Sequence, residues 1–161
     1  MVPKLGLSKE NRIGVINVLN TVLADEHVFY TKLRNYHWNV VGPQFHALHE
    51  FFEDQYNEIK DVADEVAERV RAHGGNAIGT LTEFMERTRL AEQPDTYPSA
   101  HTMVSDLVSN HEAMVRHLRE DAAKCADTYE DVATEDLLVG LIQKHEMMAW
   151  MLRSFIEGET V

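Results

Sequence analysis

Between the Gly42-Pro43 break and the Gly74-Gly75 pair, the chain runs without a single glycine or proline. A stretch of that length with no breaker reads as one helix. Pro43 suits its first turn, and Gly74-Gly75 supplies a left-handed stop. The polar residues within it follow a pattern. His49 and Glu53 are four apart, Asp64 and Glu68 are four apart, and Glu53 and Asp64 are eleven apart. Eleven residues is close to three turns, so all four side chains share one stripe. Each four-residue pair can present donors to a metal, imidazole and carboxylate in one case and two carboxylates in the other. The fifteen residues between His49 and Asp64 span about 22 Å along a helix, too far for one stripe to close on one ion.

A second copy of the chain removes that difficulty. The midpoint of His49 and Glu68 falls between Glu58 and Ile59, and so does the midpoint of Glu53 and Asp64. Two such helices laid antiparallel across a two-fold axis would set His49 and Glu53 beside the partner's Asp64 and Glu68. The homodimer would carry two identical sites, as an isologous contact requires. A solvated charged face is the plainer reading of acids at helical spacing. The coincident midpoints and the neighbouring His37 and His46 favour the metal site.

The rest of the sequence sets the frame. A chain of 161 residues predicts a single domain, 1–161, with a short tail over about 1–8. Four prolines and eight glycines argue for long helices over a sandwich or barrel. The one cysteine, Cys125, excludes an internal disulfide. No signal-like or membrane-length apolar run is present, so a cytoplasmic location and no membrane contact are expected. The net charge of −12 opposes general attraction to phosphate backbones. Lys4, Lys9 and Arg12 make a sparse basic tail, so DNA binding is expected to be weak or absent.

Four long helices are expected in all. The first starts after Ser8 and runs to about Trp38, with apolar positions on more than one side. The second is the stripe-bearing helix. Thr80-Leu81-Thr82-Glu83 is a capping-box pattern that opens a short helix to about Arg87. The third long helix runs from about Ser99 to Ala126, and the fourth, capped by Thr134, to about Glu157. Methionines in the last helix read as adaptable core filling. His27, His101, His111, His117 and His145 lack a second ligand at clean spacing, so structural or solvated roles are expected for each.

This is an all-α chain: a four-helix bundle with a short extra helix in the connection between long helices two and three. Residues 76–98 would form the long crossover found in ferritin-like bundles. Di-iron members of that class with a site inside each bundle use Glu-x-x-His pairs, and this sequence contains none. An intrachain site of that kind is therefore not expected.

The motifs YHWNV, GPQF, LHE-x-F-E and D-x-x-x-E-R, the Gly74-Gly75 stop and the late AWMLRSF segment together resemble the Dps family of mini-ferritins. The resemblance covers nearly the whole chain. It implies a hollow homododecamer with ferroxidase centres at two-fold interfaces. His37, His49 and Glu53 would come from one subunit, Asp64 and Glu68 from its neighbour, and Glu68 would bridge two irons. The family most often has Asp where this chain has Glu53. His46, one turn before His49, is a candidate extra ligand.

The implied activity is oxidation of Fe(II), with hydrogen peroxide as the preferred oxidant, and storage of the ferric product. Zinc is a candidate competitor for the same donors. Trp38 would quench stray oxidising equivalents, or would simply be a packed indole. Glu50 and Asp54 are candidates for mineral nucleation. Asp127, Asp131 and Asp136, in the acid-rich turn before the last helix, would line a negative three-fold pore, with a solvated loop as the plainer reading. The rival function is a DNA-compacting stress-protection particle with little ferroxidase activity.

Overall fold

The computed structural model describes residues 3–157, so residues 1–2 and 158–161 of the expected 1–161 unit lie outside the described residues. Five helices account for the architecture: α1 (Lys9–Asn39), α2 (Phe45–Ala72), α3 (Leu81–Arg87), α4 (Ala100–Asp127) and α5 (Val132–Ile156). The pairs α1/α2 and α4/α5 are the main packing units, joined through α1 on α4 and α2 on α5, while α3 lies against α1.

Sequence dictates where each helix starts. Ser8 caps α1 through Asn11 N–H, and Ser99 caps α4 through Thr102 N–H. Thr80 and Glu83 close the reciprocal capping box of α3. Gly74, at φ 74°, ends α2. The Gly74 N–H donates to Arg71 O at 2.9 Å, and the Gly75 N–H to Val70 O at 3.1 Å, which satisfies the last carbonyls.

Two boundaries differ from expectation. Pro43 lies in the turn before α2, where the Phe45 N–H donates to Gly42 O, and not in the helix itself. The last helix is capped by Asp131, which accepts from Thr134 N, so Thr134 is inside the helix. The turn between α4 and α5 is tight enough to hold Glu130 at φ 55°, a left-handed conformation that disfavours a side chain.

Along α2 the buried set is Leu48, Phe52, Gln55, Ile59, Val62, Ala63, Val66 and Val70. That three-and-four spacing turns one face to the core and leaves Glu53, Asp64 and Glu68 exposed on another. Phe29, Phe52, Leu19, Leu23, Met103, Met114 and Leu138 are among the largest fully buried side chains. Each stabilises the bundle by about 1.5–3 kcal/mol relative to exposure. The crossover is tied down by polar contacts. Buried Asp25 accepts from Thr88 Oγ1, Arg89 N and Arg89 Nε, and Arg89 bridges onward to Asp121. Among the described residues no helix is long and apolar enough to cross a membrane.

Candidate metal centre

The turn over residues 40–44 folds the end of α1 back onto the start of α2 and brings two sequence-predicted ligands together. The imidazoles of His37 and His49 stack with centroids 3.7 Å apart and planes 19° from parallel. Each Nδ1–H donates to the other residue's backbone carbonyl: His37 to His49 O at 2.7 Å, and His49 to His37 O at 2.8 Å. A carbonyl can only accept, so both Nδ1 atoms carry the hydrogen. Both Nε2 atoms are left as lone-pair donors. A metal-binding histidine needs that tautomer, and a carbonyl partner at the other nitrogen is the usual way to enforce it.

Aromatic groups surround the pair. Tyr56 meets His37 edge-on at 5.3 Å, and Phe45 tilts over His49 at 5.1 Å. The Tyr56 hydroxyl donates to Glu53 Oε1 at 3.1 Å, one turn away on the same helix. Burial, with that hydrogen bond added, pushes the Tyr56 phenol above its ordinary pKa. Arg34 lies over the rings of Tyr30, Trp38 and Tyr56. Trp38 is 62% exposed, so within one chain it is not the packed indole that was the alternative to a redox role.

The other expected site residues lie apart from the stacked pair. His46 is exposed and faces Glu50, also exposed, at 3.6 Å instead of joining His37 and His49. Asp54 lines a groove between α2 and α5 with Glu58, Met147 and Met151. Asp64 lines a groove of about 570 Å³ with His27, Lys60 and Asp61. His27 stacks on Phe84 at 4.0 Å, and its partial burial lowers its pKa. Glu68 lines a third groove, of about 420 Å³, together with Arg69 and Asp136. Among the described residues of one chain, no three His, Cys, Asp or Glu side chains gather in a metal-holding group.

In the acid-rich turn Asp127 and Asp136 are exposed, whereas Asp131 is only 5% exposed. Asp131 accepts from Thr134 Oγ1 at 2.6 Å and pairs with His73 Nε2 at 3.2 Å and Arg69 at 3.4 Å. Its carboxylate is a buried helix cap with two basic partners. The expected pore role of Asp131 is therefore corrected, and Asp127 and Asp136 remain as exposed acids of the turn.

One polar system escaped sequence reading. Glu26 of α1, Gln55 of α2, His111 of α4 and His145 of α5 form a chain through the centre of the bundle. Glu26 Oε1 accepts from His145 Nε2 at 3.0 Å, the two Nδ1 atoms of His145 and His111 lie 2.9 Å apart, and His111 Nε2 faces Gln55 Oε1 at 3.4 Å. Glu26, His111 and His145 are fully buried, and Glu26 Oε2 has no hydrogen-bond partner. Burial, followed by the neighbouring His145, pushes the pKa of His111 well below its ordinary value. Each long helix contributes one member of this chain, and no local spacing can link residues on four helices.

Comparison with known proteins places this arrangement. The Ferritin-like domain family matches residues 16–160. An uncharacterized low temperature-induced protein of Nostoc sp. is 45% identical over 157 residues, covering 98% of this chain and 88% of that protein. DNA protection during starvation protein 2 of Bacillus anthracis is 41% identical over 142 residues, 88% of this chain and 96% of that one. The structure of DpsC from Streptomyces coelicolor superposes with a TM-score of 0.92 at 30% identity, covering 98% of this chain and 92% of the other. Fold, sequence and paired histidines lead to one assignment: this chain is a ferritin-like protein of the Dps family.

Proposed function

We propose that this protein is a mini-ferritin that oxidises Fe(II) with hydrogen peroxide and stores the ferric product inside a homododecamer. The observation that carries the reading is the reciprocal Nδ1–H to carbonyl lock on His37 and His49, which leaves two adjacent imidazole lone pairs with no hydrogen-bond partner among the described residues. Imidazole with carboxylate suits Fe(II), and a carboxylate-rich set also suits the harder Fe(III) that forms. The remaining ligands come from a second copy. Across a two-fold axis near Glu58 and Ile59, the partner's exposed Asp64 and Glu68 would face His37, His49 and Glu53, and these five side chains would supply the nitrogen and oxygen donors that hold the iron.

Iron is the substrate here. Two Fe(II) ions each give one electron, and one hydrogen peroxide takes both electrons and two protons to leave as two waters. Delivering two electrons to one peroxide avoids the single-electron cleavage that releases hydroxyl radical. Trp38, stacked under Arg34 and next to His37 in the chain, is an exposed indole available to intercept equivalents that do escape. Glu50 and Asp54 extend the acidic surface next to the ligand stripe and serve as mineral nucleation points. Exposed Asp127 and Asp136 attract Fe(II), and the groove that Asp136 shares with Glu68 gives a path toward the centre.

The names of several relatives refer to DNA protection, which raises the compaction reading. With −12 per chain, a dodecamer repels phosphate, so protection by removing iron and peroxide is favoured over wrapping. The test is anaerobic Fe(II) loading followed by peroxide, with oxidation followed by absorbance and retained iron measured after gel filtration. Consumption of one peroxide per two Fe(II), with ferric iron retained in the particle, supports the reading. No peroxide-dependent oxidation above that of free Fe(II) rejects it.

A further inference from the structure

Glu53 stands where the family most often has Asp, and the extra methylene has a visible partner. From its place on α2 the Glu53 carboxylate reaches Tyr56 Oη, one turn ahead, and accepts its hydrogen at 3.1 Å through Oε1. Tyr56 is itself fixed. Its ring is edge-on to His37 at 5.3 Å and to Tyr30 at 5.9 Å, with the Arg34 guanidinium 6.0 Å from its centroid. Tyr56 therefore touches two of the three ligands that one chain contributes. No other described side chain hydrogen-bonds to the Glu53 carboxylate.

We propose that Tyr56 is a positioning residue for the second metal position of the shared centre, holding Oε1 of Glu53 so that Oε2 is presented to the ion. The inference rests on the shared-site reading above and adds the device that makes a glutamate workable at this position. A free Glu side chain loses rotamer freedom when it binds an ion, and a carboxylate already anchored through one oxygen loses less. Hydrogen-bond partners of metal ligands typically change affinity by about 10–100-fold. A shorter Asp would keep its carboxylate nearer its own backbone, beyond easy reach of Tyr56, so the device belongs to the Glu53 form alone.

The experiment is anaerobic titration of metal-free assembled protein with Co(II) alone, read by visible absorption and by calorimetry. The proteins compared are wild type, Tyr56→Phe, Glu53→Asp, the Glu53→Asp/Tyr56→Phe double variant and a His49→Ala control. Tyr56→Phe is expected to weaken the second Co(II) about 10-fold and to change its absorption band while the first ion binds as before. In the Glu53→Asp background the same change should alter the second affinity less than about twofold, giving a clear coupling. A merely structural Tyr56 would act equally in both backgrounds. Equal effects, or no effect of Tyr56→Phe while His49→Ala abolishes binding, overturn this inference and leave the shared centre standing. Co(II) binding that survives His49→Ala removes both.

Discussion

Replacing His145 by Ala should strongly destabilise the bundle, and the reason can be worked from the core. The change removes the donor to Glu26 Oε1 in a chain whose Glu26 Oε2 already lacks a partner. A fully buried carboxylate would then have no hydrogen bond on either oxygen. Breaking a buried pair by deleting one partner costs about 3–5 kcal/mol. For a chain of this size that is a fall in Tm of roughly 6–20 °C, measured at one fixed protein concentration. The contrast is the triple variant Glu26→Met/His111→Leu/His145→Leu, which removes the three titratable members of this chain and fills similar volume. It should unfold far closer to wild type, since well-packed apolar side chains leave no buried polar group unpaired.

The same chain sets a pH dependence. His111 is held neutral by burial first and by His145 second, whereas in the unfolded chain it titrates near its ordinary value. Below about pH 6.5 the unfolded state therefore binds the extra proton, and stability present above that pH is lost as pH falls. The loss approaches about 1 kcal/mol per pH unit for one proton. A His111→Gln variant should show a shallower fall between pH 7 and 5 in thermal melts. Superimposable slopes for variant and wild type, or a His145→Ala protein as stable as wild type, would refute the reasoning.

Two further outcomes concern the surface. Asp127→Asn with Asp136→Asn should slow iron uptake at low salt, with the difference shrinking at high ionic strength and vanishing at saturating iron; stopped-flow oxidation traces at two salt concentrations check it. With −12 per chain and only Lys4, Lys9 and Arg12 in the tail, no sub-micromolar duplex binding is expected at neutral pH and physiological salt, and a gel-shift titration reads it directly.

The long helices were legible because their signals are local. Ser8, Thr80, Ser99 and Gly74 act within one turn of where they stand, and the α2 stripe follows from helical period alone. The exposure of Glu53, Asp64 and Glu68 on that helix follows from the same period. The start of α5 was placed three residues late because Thr134 and Asp131 both have capping chemistry, and only the fold shows which one faces the free N–H groups. Asp131 was misread for the same cause: its partners His73 and Arg69 lie about sixty residues away in sequence. For His111 and His145 structural and solvated roles both stayed open for want of a neighbour in sequence, because their partners Gln55 and Glu26 sit on other helices. Tyr56 has no role in the sequence reading, since nothing in a sequence marks a phenol whose hydroxyl reaches the Glu53 carboxylate one turn away.

The central claim is that each iron centre is built by two chains, and complementation between inactive variants tests it most directly. One variant carries His37→Ala and His49→Ala, and the other Asp64→Ala and Glu68→Ala. Each alone lacks half of every site and should lose peroxide-dependent Fe(II) oxidation. In a mixed dimer the second variant's histidines meet the first variant's acids, so one centre is complete and the other lacks both halves. Co-expressed particles, with mixing verified by native mass spectrometry, should regain up to about half of wild-type activity, scaled by the fraction of mixed dimers. Ligands that met within one chain could not be rebuilt by any mixture, so mixed particles without activity would contradict the account.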